Sequence, residues 1–166
     1  MAVSAYEVIS TQTLASAVTT VTFSSIPQTY TDLVLVLLVG VSTAGNAMKL
    51  ELNGDTAANY STIYLAGNGT SAISSRTTSN TTMRLFHETG SNTAITNMAT
   101  VNFLNYSNST TYKTMLSRCS NTGGTEEEVN LWRSGAGITS INCYWGSGYT
   151  FPVGSTFTLY GIKASA

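Results

Sequence analysis

Phe151-Pro152-Val153-Gly154-Ser155-Thr156-Phe157-Thr158-Leu159-Tyr160-Gly161-Ile162-Lys163 is the stretch whose reading decides the fold. Pro152 and Gly154 mark a turn. After it, Phe157 and Leu159 fall on one side of an extended chain and Thr156 and Thr158 on the other. Aromatic and β-branched residues suit such a pleated, half-buried surface. A strand in this position needs a neighbour for its ladder groups, so the segment predicts a closed β unit.

The same two-residue alternation runs outward through the chain. It predicts strands over 6–10, 18–23, 33–41, 48–52, 61–65, 82–87, 96–104, 112–119, 128–133, 138–145 and 155–162. Val21 and Phe23 oppose Thr20 and Thr22, and Val101 and Phe103 oppose Thr100 and Asn102. Ile141, Cys143 and Trp145 share a face. Val129 and Leu131 oppose Asn130, which predicts that those two apolar residues face the core. The run 33–41 is apolar on both faces and reads as a central strand covered twice, the second cover a candidate for a partner subunit. Gly-rich punctuation separates the strands, and Asn53-Gly54-Asp55 reads as a hairpin turn rather than a calcium loop. The polar stretch 71–82 reads as a long exposed loop or arm. No segment keeps helical periodicity. Many short strands with Gly-rich turns predict a single all-β domain, an antiparallel, jelly-roll-like sandwich of two sheets over 1–166.

Composition narrows the function. At 166 residues the chain can bury a sizeable core. Only 9% of residues are charged, against about a quarter in an ordinary soluble domain, while roughly three in ten are Ser or Thr. A surface of hydroxyls and amides gives up the charge repulsion that keeps proteins apart, which favours a life packed against copies of itself or a larger body. The net charge of −1 and the scattered Lys and Arg give no footprint for nucleic acid. The longest apolar run is too short to span a bilayer, and residues 1–6 lack the pattern of a secretory leader.

The sequence holds little recognisable chemistry. His87 has no nucleophile motif around it and reads as a rim residue. Gly67-Asn68-Gly69 is not followed by a helix, so it cannot cradle a dinucleotide. Glu126-Glu127-Glu128 follows Gly123-Gly124 and reads as a solvated loop tip, with a cation site the lesser alternative. Cys119 and Cys143 lack zinc-ligand spacing and read as buried thiols, a disulfide remaining open if their strands are neighbours. No catalytic residue, cofactor or metal is expected. The aromatics read either as interface residues or as a sugar-stacking platform of Trp132, Tyr144, Trp145 and Tyr149, with Trp145 in the core and Trp132 exposed in the first case. The interface candidates are Tyr6 and Val8 near the start, Leu33 and Leu35 in the apolar run, and Arg76 and Asn80 in the polar stretch.

Tyr6-Glu7-Val8-Ile9, Ile26-Pro27-Gln28-Thr29-Tyr30, Asn53-Gly54-Asp55 through Tyr60 and Leu159-Tyr160-Gly161-Ile162-Lys163 together carry a resemblance. Across most of its length, from about 6 to 164, the chain resembles the small β-sandwich virion proteins of tailed bacteriophages, cyanophages among them. The resemblance implies a non-enzymatic capsid decoration (cement) protein on the outer capsid surface. It would be assembled in the host cytoplasm, form a symmetric oligomer, often a homotrimer, and have the major capsid protein as partner. The alternative it leaves is a tail or fibre module that recognises host glycans.

Overall fold

The computed structural model describes residues 5–163. Residues 1–4, on which the leader reading largely rests, lie outside them, as do 164–166. Within this span the chain forms β1 (Tyr6–Thr13), β2 (Thr20–Phe23), β3 (Asp32–Val39), β4 (Met48–Leu52), β5 (Tyr60–Gly67), β6 (Ala72–Asn80), β7 (Met83–Leu85), β8 (Asn97–Leu104), β9 (Lys113–Asn121), β10 (Gly124–Trp132), β11 (Ile141–Trp145) and β12 (Thr156–Ile162). The only helical element among the described residues is a 3-10 turn at Gly146–Gly148. No helix there is long and apolar enough to cross a membrane.

The strands make two antiparallel sheets. One has eight strands in the order β1-β12-β3-β8-β9-β10-β5-β6, the other four in the order β2-β11-β4-β7. The chain moves repeatedly between sheets, and this sets the core between them. Leu33, Leu35 and Leu37 of β3, Val101 and Phe103 of β8, and Phe157 and Leu159 of β12 face Met48, Leu50, Leu52, Ile141, Cys143 and Trp145 of the small sheet in one continuous cluster. Phe151 packs within it, its ring centroid 5.7 Å from that of Trp145 and 4.9 Å, edge-on, from that of Phe157. The fold is all-β, the two-sheet sandwich that the alternation predicts, though the division into eight and four strands is not symmetric.

Asn53 and Gly54 both hold left-handed backbone, at φ 54° and 69°, which is why Asn-Gly stands there. They turn the chain out of β4, with Asp55 N–H donating to Leu52 O. The Asn53 side chain ties this turn to the loop before β11, accepting from Thr139 N and Ser140 N and donating to Gly137 O.

Four expectations are corrected. Residues 71–82 are not a loop: most of them form β6, an edge strand paired along β5. An edge strand exposed on both faces needs no apolar stripe, so its sequence hides it. Glu126 and Glu128 lie inside β10 with about 2% exposure each, not at a loop tip. Val129 is 48% exposed while Asn130 is buried, the reverse of the predicted facing. Trp132 is buried as well, stacked on Tyr60 at 6.4 Å. The last three share one cause. Side chains alternate along a strand, so placing Trp132 inside also places Asn130, Glu128 and Glu126 inside.

Candidate functional site

β10 is not alone in facing its polar residues inward. On β5, Thr62 and Tyr64 are buried while Ile63 and Leu65 are 51% and 62% exposed. On β9, Ser117 and Cys119 are buried and Leu116 is exposed. One end of the large sheet is therefore polar inside and apolar outside.

The outer face carries a row of directly paired residues that crosses all eight strands. It runs Arg76–Ile63–Val129–Leu116–Asn102–Val34–Tyr160–Val8. The next row holds Leu65, Glu127, Arg118, Thr100, Val36 and Thr158 in register. Arg118 Nε meets Glu127 Oε1 at 3.0 Å, a solvent-exposed pair that neutralises the face but contributes little stability. Ile63, Leu65, Leu116 and Val129 line a shallow groove of about 380 Å³ with Thr100 and Asn102 at its side. A face with several large exposed apolar side chains and few ions is the surface type that marks contact with another macromolecule.

The interface candidates divide on this face. Arg76 and Val8 sit at opposite ends of the same row, and Tyr6 lies beside it, its ring 6.3 Å from that of Tyr160. Leu33 and Leu35 do not belong: both are fully buried between the sheets, because the inward parity of β3 is theirs and the outward one belongs to Val34, Val36 and Leu38. The second cover expected over this run is partial in the described chain: Val34 is buried and Val36 half-buried, while Leu38 stays 43% exposed. Asn80 pairs with the inward-facing Tyr60, beyond a register shift, and donates to Thr77 Oγ1. Ile63, Leu65, Leu116 and Val129 were missed, since alternation in sequence does not say which of two faces is wet.

The inner side of the same region is a polar cluster. Glu126 accepts from three successive backbone N–H groups: His87 to Oε1 at 2.5 Å, and Glu88 and Thr89 to Oε2 at 2.9 and 3.2 Å. Glu128 Oε2 accepts from Ser117 Oγ at 2.8 Å, and Thr62 Oγ1 donates to Asn130 Oδ1 at 2.5 Å. Burial pushes the Glu128 carboxyl well above the usual range, and the neighbouring Glu126 pushes it further. Burial likewise raises the Cys119 thiol, with Glu128 adding to it. His87 is half-buried, its ring 4.5 Å from Tyr64 and its Nε2 3.4 Å from Arg84. Burial and then Arg84 hold its pKa below the ordinary value, so it is neutral at pH 7.

Cys119 and Cys143 are both buried free thiols on strands of different sheets. The sugar platform does not form as predicted. Trp132 and Trp145 are buried, and Tyr149 is partly buried against the core. No family model, curated protein or solved structure matches this chain.

Proposed function

We propose that this chain is a structural subunit of a tailed-phage particle, a cement protein that docks on the outer capsid surface through the outer face of its large sheet. The observation that carries this reading is the outer face of the large sheet, where the exposed apolar side chains of Ile63, Leu65, Leu116, Val129 and Val8 stand beside Arg76 and the mutually neutralising Arg118–Glu127 pair. Burying such a face stabilises association at about 25 cal/mol per Å² of apolar surface, less the entropy of docking. A subunit that binds only the assembled shell stabilises it by mass action. The low charge favours close packing of many copies, and the resemblance of the sequence supplies the capsid protein as partner and a symmetric oligomer, a trimer, as the working unit.

Quantifying the chain in purified particles tests this. The expected result is a copy number comparable with the capsid subunit, and shells that lose heat stability when the chain is removed. A few copies per particle, or shells indifferent to its removal, would defeat the reading.

A further inference from the structure

We propose that Cys119, Glu126 and Glu128 form a buried binding site for one divalent transition-metal cation of the zinc class. Cys119 and Glu126 are directly paired across β9 and β10, and Glu128 is the next inward residue along β10. One ligand atom from each lies within 4.8 Å of the others. Acceptors converge here without enough donors. Glu128 is about 2% exposed, and its Oε1 has no hydrogen-bond partner. An unmet buried carboxylate oxygen is strongly unfavourable, so the site calls for a cation, either a proton or a metal.

The surroundings favour the metal. A proton shared by Glu126 and Glu128, whose carboxyls are within hydrogen-bond reach, would satisfy that pair but make no use of the Cys119 sulfur beside it. The loop after β7 instead aims consecutive amides at both groups: Phe86 N–H at the Cys119 sulfur, and those of His87, Glu88 and Thr89 at Glu126. Burial favours the protonated thiol, but amide donors placed this way support the thiolate and carboxylate that a bound metal would hold. Three N–H bonds use about three of the four acceptor positions of Glu126 and leave one for a metal. Ser117 Oγ, bonded to Oε2 of Glu128, orients that ligand as outer partners do in metal sites. A thiolate with two carboxylates suits zinc, and cobalt(II) as its probe, better than calcium or magnesium, which take oxygen alone. Metal entry displaces the protons of Cys119 and Glu128 to solvent.

The test titrates the chelator-stripped full chain with Co²⁺ and follows thiolate-to-cobalt charge-transfer absorption, with Zn²⁺ as competitor. One equivalent is expected to bind, with the absorption bleached by Zn²⁺ and the melting temperature raised by it. Cys119→Ser should abolish the thiolate band, and Glu128→Gln should weaken binding by more than about 100-fold, beyond the loss of a supporting contact. Cys143→Ala, on the other sheet, should leave the thiolate band and the one-equivalent stoichiometry unchanged. Glu128→Gln is near-isosteric and removes a buried ionisable group, so it keeps the test open if Cys119→Ser does not fold. No saturable binding by the wild-type chain, or binding undiminished in Glu128→Gln, overturns the site and leaves a shared proton as the occupant.

Discussion

Trp132 donates its indole Nε1–H to Oδ2 of Asp55 at 2.7 Å, joining the end of β10 to the turn after β4. Asn59 Nδ2 donates to the same oxygen, and Ala57 N–H to Oδ1. This bond helps seat Trp132 inside, and the alternation of β10 carries the same facing back to Glu126. Asp55→Ala leaves a buried indole donor unmet and should destabilise the fold by about 2 kcal/mol. Urea unfolding measures it. A change within error would mean that the Tyr60 stack alone seats Trp132.

The same carboxylate sets a pH dependence. Partial burial pushes its pKa up, but the donors from Asn59, Trp132 and Ala57 outweigh burial and hold it below the ordinary value. A depressed folded-state pKa contributes stability above the unfolded value, about pH 4, that is lost as pH falls through the folded one. The unfolding midpoint of the wild type should therefore fall more steeply below about pH 4 than that of Asp55→Asn. Parallel curves would contradict this.

Gly161 leaves no room for a side chain. A Cβ there would lie 2.4 Å from Cγ of Tyr30 and 2.5 Å from both Cδ atoms. Gly161→Ala should cost about 1–3 kcal/mol through overpacking. The cost should shrink in a Tyr30→Leu background, a coupling that a double-mutant cycle reads directly.

On the outer face, Leu65→Lys should change the stability of the isolated chain by less than about 0.5 kcal/mol, because the side chain is already wet. It should nevertheless weaken binding to capsid shells in a sedimentation assay. Unchanged binding by both Leu65→Lys and Val129→Lys would place the docking surface elsewhere.

Both thiols should resist alkylation in the native state. Burial raises the pKa of Cys143 as it does that of Cys119, and thiolate is the reactive form. Mass spectrometry should find no label on native protein and two labels in denaturant. Rapid native labelling at either position would indicate local opening of its strand.

Residues whose neighbours in sequence resemble their neighbours in space were legible. Met48-Lys49-Leu50-Glu51-Leu52 alternates cleanly and Asn53-Gly54 stops it, so β4 has the expected bounds. β6 gave no signal because Ser, Arg and Thr on an edge need no dry side. β10 gave a false one: Val129-Asn130-Leu131 looks apolar-inward, yet the strand buries Trp132 at its end, tied to Asp55 far back in the chain, and alternation then turns Asn130 inward. The outer apolar face and the inner cluster both follow from that parity. Glu126 and Cys119 become neighbours only through the β9–β10 register, so neither was legible as a pair.

β1 and β12 run antiparallel at one edge of the large sheet, and Lys163 N–H donates to Ala5 O across their shared end. Lys163 Nζ also reaches Glu7 Oε1 at 2.7 Å. One backbone bond and one ion pair thus close this end of the β1–β12 ladder together. Opening the sheet from this side requires both to break before Tyr6 and Ile162 can part, so amide exchange at this corner reads the strength of the edge as a whole.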